Sequence, residues 1–174
     1  MIPWSDHDVT IRPVAGADLP AVAEIYGHYV TGSVATFDEI VPTAADWAEK
    51  LRVVEERRLP FVVAAAAGEV LGFAYASAWR PKPAYRYTVE DTIYLAPGGT
   101  GRGLGRRLLE AVLAGCRDAG VRSVIAVVAD TGDPASMALH RRAGFREVGR
   151  LARVGRKHGR WVDTVLLQLD LAPA

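Results

Sequence analysis

The segment of this chain best suited to chemistry is a strand that runs into glycines and arginines. It reads Ile93-Tyr94-Leu95-Ala96-Pro97-Gly98-Gly99-Thr100-Gly101-Arg102-Gly103-Leu104-Gly105-Arg106, and a helix pattern follows it. Glycine allows positive φ and lets a ligand approach the backbone with no Cβ in the way. The first turn of a helix presents unpaired N–H groups and a partial positive charge. Together these predict an anion site suited to a pyrophosphate, to which Arg102 and Arg106 can add charge-assisted hydrogen bonds. Two familiar phosphate loops do not fit. Gly101, Gly103 and Arg106 do not supply the GxGxxG spacing of a dinucleotide fold, and no Gly-Lys-Ser/Thr is present for a nucleotide-hydrolase loop. A second cluster is basic: Arg80, Lys82 and Arg86 share a proline-broken loop with Tyr85 and Tyr87. Arginine suits bidentate carboxylate binding, although a solvated basic loop has the same composition.

The elements that must position these residues follow from periodicity. Val9 to Val14 reads as a short strand. Asp18 is placed to cap a helix carrying Leu19, Val22, Ile25, Tyr26 and Tyr29 on one face. Residues 31–42 read as a loop. Thr43 and Asp46 resemble a capping box opening a charged helix to about Arg58. Phe61 to Ala67 and Val70 to Trp79 predict a hairpin turning at Gly68-Glu69. Val89 to Leu95 is a strand, Gly103 to Ala119 a helix stopped by Gly120, and Val121 to Ala129 a strand buried on both faces. Asp133 as N-cap and Pro134 at the first helical position open a helix that Gly144 closes. Phe145 to Arg153 and Trp161 to Leu171 are the last strands. The alternation predicts one α/β (α+β) domain over residues 1–174, a sheet covered by helices.

Composition narrows the partners. Charges nearly cancel, 21 Lys and Arg against 20 Asp and Glu, which gives no general reason to expect nucleic acid or an anionic membrane. Cys116 is alone, so no internal disulfide and no cysteine pair for structural zinc exist; it reads as a small core residue, and no metal is expected. Met1 to Thr10 lacks a basic segment followed by an apolar run, and His7 in that polar tail is given no role. No stretch is apolar enough to span a bilayer, so a cytoplasmic protein is expected.

The run Thr100 to Gly105 resembles the Q/R-x-x-G-x-G/A signature of the GNAT acetyltransferase superfamily, whose loop holds the pyrophosphate of acetyl-CoA. Asp133-Pro134-Ala135-Ser136 and Leu139-His140-Arg141-Arg142-Ala143-Gly144-Phe145 resemble that superfamily's downstream segment. Over nearly the whole chain, Trp79-Arg80, Ala84-Tyr85, Val89-Glu90-Asp91-Thr92-Ile93-Tyr94, Lys157-His158-Gly159-Arg160-Trp161 and Gly27-His28-Tyr29 are similar to the phosphinothricin and methionine sulfoximine acetyltransferases. The resemblance implies a GNAT fold, a central twisted mixed sheet with helices on both faces. It implies acetyl-CoA as cosubstrate, direct transfer to the α-amine of a small amino-acid-like compound, and a homodimer with the last strands near the interface. Thr100 stands where Gln or Arg is usual and Asp133 where Asn is usual. An ionised Asp near a pyrophosphate repels it unless it turns away to cap the helix.

By that resemblance the cosubstrate residues are Ile93, Tyr94, Leu95, Gly101, Arg102, Gly103, Leu104, Gly105, Arg106, Asp133 and Ser136. Main-chain groups of Ile93 and Leu95, exposed where parallel strands splay apart, are the expected partners of the pantetheine arm and the acetyl carbonyl. Glu90 is the candidate base, acting through a water, against the alternative of a strand-edge glutamate paired with Arg86. His140 is the candidate to donate to the leaving thiolate or to help move the amine proton, against a histidine packed between helix and sheet. Phe37, Arg80, Lys82, Tyr85, Arg86 and His158 are the expected substrate residues. Acetylation of another amine (a protein terminus, polyamine or drug) and a non-catalytic CoA-binding sensor are the competing functions.

Overall fold

The structure is a computed structural model, and it describes residues 8–171; His7 lies outside them. The elements are β1 (Thr10–Pro13), α1 (Leu19–Gly32), α2 (Ala44–Glu56), β2 (Phe61–Ala66), β3 (Glu69–Ala78), β4 (Thr88–Leu95), α3 (Leu104–Asp118), β5 (Ser123–Ala129), α4 (Ala135–Arg142), β6 (Arg146–Lys157) and β7 (Arg160–Asp170). The strands form one seven-stranded sheet in the order β1-β2-β3-β4-β5-β7-β6. β4 and β5 pair in parallel, and the other neighbours are antiparallel.

Helices cover both faces of this mixed sheet. On one face α3 buries Leu104, Leu108, Leu109, Val112, Leu113 and Cys116 against Ala74, Val89, Val124 and Leu167. Cys116 is fully buried, and burial pushes its thiol up to about 12, so it is a core residue as expected. On the other face α1 and α2 bury Val22, Tyr26 and Trp47 against Phe61, Phe73 and Tyr75. Tyr26 meets Trp47 edge-on at 5.3 Å and Tyr94 edge-on at 5.0 Å. Such pairs contribute about 0.5–1.5 kcal/mol each beyond burial.

Several local expectations shift. The Thr43–Asp46 capping box is present. Asp18 stands at the N-cap position of α1 as expected, but its side chain bonds no α1 N–H; its carboxylate accepts from the Ala15 N–H and from both terminal nitrogens of Arg12, which ties β1 to the turn before α1. The β2–β3 turn falls at Ala67-Gly68, one residue early, both with positive φ (51° and 82°), because that backbone matches the twist of the flanking strands. α4 begins at Ala135, so Pro134 rather than Asp133 is the cap residue, yet Asp133 Oδ1 still accepts from the Ala135 N–H at 2.9 Å. β5 is not buried on both faces throughout: Val127 is 37% exposed. β6 runs on to Lys157 instead of stopping near Arg153, its register shifting between Leu151 and Gly155.

Candidate active site

The site is built on a fork in the sheet. β4 and β5 pair only from Thr88↔Ser123 to Glu90↔Ile125. β4 continues beside β3 to Leu95, and β5 beside β7 to Ala129. Past Glu90 the two strands part, so that edge of residues 91–95 has no strand partner among the described residues. This is the splay from which main-chain groups of Ile93 and Leu95 were expected to act. The Leu95 carbonyl already accepts the Tyr29 hydroxyl at 2.7 Å, which pins the end of β4 to α1.

Strand alternation sends Glu90, Thr92 and Tyr94 to one face, where they line a cavity of about 320 Å³. Its other walls are Tyr26, Ala35, Thr36, Phe37, Lys50, Tyr75, Ser77, Val127, Ala129 and Thr164. Val127 is exposed because β4 has diverged and left this space above it. The Tyr26 hydroxyl bridges Thr36 Oγ1 at 2.6 Å and Asp38 Oδ2 at 2.7 Å, holding the loop of residues 33–42 against α1. Lys157, buried, donates to the Thr36 carbonyl at 2.8 Å and anchors the same loop from β6. Phe37 lies on Gly155, where any Cβ would come within 2.2 Å of its ring.

Glu90 is half-buried, and among the described residues its carboxylate makes neither hydrogen bond nor ion pair; Arg86 does not pair with it. Burial raises its pKa first, the neighbouring Asp91 charge raises it further, and Lys50 pulls it down. A carboxylate with free lone pairs and a raised pKa suits proton transfer. Lys50 places Nζ 5.3 Å above the Tyr75 ring and forms no ion pair among the described residues. Among the described residues it is the one lysine or arginine in the cavity wall.

His140 is buried and lies outside that cavity. Its Nδ1 is 2.8 Å from the Ser136 carbonyl and its Nε2 is 2.8 Å from Asp91 Oδ2, on the opposite face of β4 from Glu90. With both nitrogens engaged and its ring edge against Phe145, His140 is packed between helix and sheet. The expected acid role is not what this geometry provides, because neither nitrogen is open to a leaving group.

The glycine turn has the cradle form. Gly98, Gly101 and Gly103 have positive φ (83°, 77° and 74°), and a Cβ built on any of them meets only open space. Gly103 caps α3, its carbonyl accepting from the Arg107 N–H, so the N–H groups of Leu104, Gly105 and Arg106 are free of helical partners. The side chain of Leu104 is core, leaving only its backbone for a ligand. A Cβ on Gly105 points at Leu139, 3.3 Å away, so this glycine serves close packing of α3 on α4. Arg106 is exposed and pairs with Glu110 at 3.3 Å. The Asp133 carboxylate is turned onto the Ala135 N–H, and Ser136 is exposed beside it.

The basic loop stands outside the cavity. Arg80 lies over Trp79 and Arg86 over Tyr87, with Lys82 and Tyr85 also exposed, and none of the four lines the cavity wall. The loop leaves β3 after Ala78 and enters β4 at Thr88, next to the Ser77↔Glu90 pair, so it adjoins the site without entering it. His158 is exposed in the tight turn between β6 and β7, with φ 48°. The wall residues Lys50, Ser77, Thr92 and Thr164 and the buried Asp91 escaped sequence reading. Thr92 was legible from alternation along β4; Lys50, on a separate helix, was not.

A split sheet with an open glycine turn at the fork and, among the described residues, an unpaired carboxylate on the far face is an arrangement that acyl-group transfer can use. The profile of the acetyltransferase (GNAT) family matches residues 21–145, and the chain belongs to that family. It is 44% identical over 162 residues to a phosphinothricin N-acetyltransferase of Alcaligenes faecalis, covering 93% of this chain and 82% of that one. It is 39% identical over 168 residues to an L-methionine sulfoximine/L-methionine sulfone acetyltransferase of Pseudomonas aeruginosa, covering 94% and 95%. A GNAT phosphinothricin acetyltransferase from Sinorhizobium meliloti, solved in complex with acetyl-CoA, superposes with TM-score 0.90 at 42% identity, covering 94% and 89%.

Proposed function

We propose that this chain, as one acetyltransferase domain, moves the acetyl group of acetyl-CoA onto the α-amine of a small amino-acid-like substrate such as phosphinothricin or methionine sulfoximine. The observation that carries this reading is the pairing of a cradle and a base across one strand. The open glycine turn and the unpaired edge of β4 lie at the fork, and Glu90 faces a cavity of amino-acid size on the other side of it. The names of the relatives supply the substrate class. The cradle fits acetyl-CoA because the open positions of Gly101 and Gly103 leave room for phosphate at free N–H groups, and Asp133, bonded to its own helix, does not aim its charge there.

Bound there, acetyl-CoA supplies a thioester carbon at which the C–N bond forms as the C–S bond breaks. The residues of this chain do the rest. Backbone N–H groups of Gly103 to Arg106 hold the pyrophosphate, with Arg102 beside them. Main-chain groups of Ile93 and Leu95 orient the acetyl end. Glu90 takes the amine proton, directly or through a water, so that the amine attacks neutral. Lys50 binds the substrate's anionic group from within the cavity, and Arg80 acts from its rim. Phe37, Thr36 and Tyr94 close over the aliphatic part. The enzyme acts in the cytoplasm as a homodimer, joined through the last strands. The exposed Val148, Leu151 and Val154 of β6 and Trp161 of β7 support that interface.

A panel of amines, read by release of CoA thiol, tests the reading. Phosphinothricin, methionine sulfoximine and methionine sulfone should turn over far faster than polyamines or decarboxylated analogues. Lys50→Met should raise the KM for the acidic substrates by roughly ten-fold, the scale of one lost charged hydrogen bond, and spare that for acetyl-CoA. No turnover of any amine by a protein that binds acetyl-CoA would favour a sensor instead.

A further inference from the structure

The buried Asp91–His140 pair is not used in that chemistry, yet it sits where the sheet forks. Asp91 is the first residue beyond the last parallel pair, Glu90↔Ile125. Its side chain is 1% exposed and that of His140 6%, and they meet at 2.8 Å. His140 is fixed in turn to the Ser136 carbonyl at 2.8 Å, one turn back in α4. That first turn is the same one whose Ala135 N–H is held by Asp133. A continuous line therefore runs from β4 through carboxylate and imidazole to the start of α4.

The arrangement is a poor way to gain stability alone. A buried ion pair returns little beyond what apolar side chains of equal volume provide, and Asp91 Oδ1 has no hydrogen-bond partner among the described residues. What such a pair does provide is a fixed distance and direction. The Ser136 carbonyl can only accept, so Nδ1 carries a hydrogen, and a further proton must lie between Nε2 and Asp91.

We propose that Asp91 is a positioning residue: through His140 it sets where the start of α4 stands against the unpaired edge of β4, and so governs how tightly acetyl-CoA is held between them. This rests on the acetyl-CoA reading above. The charged or titratable groups facing Asp91 are Glu90 on its own strand, Cys116 on α3 and His140 on α4. Burial lowers the His140 pKa, but the Asp91 carboxylate and the Ser136 carbonyl outweigh it, and the net shift is upward from 6.5. A raised histidine pKa means that the strut is intact at low pH and is lost as pH rises through the raised value.

The test is the dissociation constant for acetyl-CoA, measured by calorimetry on wild type, Asp91→Asn, His140→Gln and the double variant across neutral and alkaline pH. Each single change should weaken binding by roughly ten-fold, and the double should be no worse than the weaker single, as for two members of one network. Wild-type affinity should fall with rising pH more steeply than that of Asp91→Asn. Folded single variants with wild-type affinity and pH dependence would overturn the proposal. Should neither single variant fold, the ring-nitrogen resonances of wild-type His140 decide: they must move on acetyl-CoA binding, and unmoved resonances would overturn it. A wild type that binds no acetyl-CoA at any pH would instead sink the functional reading on which this one rests.

Discussion

At the scale of residues, one strand carries opposite tasks on its two faces. Glu90 looks into a cavity with its oxygens unpaired, while Asp91, its neighbour, is buried against a histidine. The burial of Glu90, and after it the Asp91 charge, hold the Glu90 carboxyl above its ordinary range. Glu90→Gln keeps the shape and removes the basicity. Turnover near neutral pH should fall by roughly 10²-fold with acetyl-CoA affinity intact, since general-base catalysis contributes 10²–10⁴-fold. The sign of the pH effect follows. Wild-type activity should drop as pH falls through the raised Glu90 pKa, and the gap between wild type and variant should narrow at high pH, where the amine is already neutral. Equal activity of the two across that range would make Glu90 structural.

At the scale of elements, two glycines limit what the site tolerates for different reasons. Gly103 has φ 74° and open space ahead of it. Gly103→Val would strain the backbone and fill the space expected to receive phosphate. Acetyl-CoA affinity should fall at least ten-fold, about 1.4 kcal/mol, and near-normal affinity in a folded variant would remove the basis for this cradle. Gly155 faces a different constraint. Its missing Cβ is the seat of the Phe37 ring. Gly155→Ala should push Phe37 and its loop off β6, raising the amino-acid KM several-fold with acetyl-CoA binding unchanged. A crystal structure of that variant with Phe37 undisplaced would contradict this account.

At the scale of the whole molecule, β6 is an edge strand with an interrupted register. Arg146, Arg150, Arg153 and Arg156 line it among exposed apolar residues. Charge on an edge discourages open-ended strand pairing, whereas Val148, Val154 and the 61%-exposed Trp161 offer a surface that a second copy can cover. Sedimentation of the wild type should give a dimer, and Val154→Asp should shift it toward monomer; a monomeric wild type would leave this face without its proposed partner.

The sequence by itself determined the order of elements, the glycine turn and the capping box of α2, because each depends on residues near one another in the chain. It also determined the family, since residues 93–106 and 133–145 carry the signature together. Glu90 was singled out as a candidate because it lies near the start of the strand that leads into that turn and matches the carboxylate position of the family. Tertiary structure decided which cation enters the cavity: Lys50 comes from α2, and the basic loop that looked suited stays outside. It decided the fate of His140 as well, since nothing local tells that a carboxylate 49 residues earlier will take its Nε2. Periodicity assigns a side chain to a face. Only the packing of separate elements decides whether that face meets solvent, a cavity or an opposite charge.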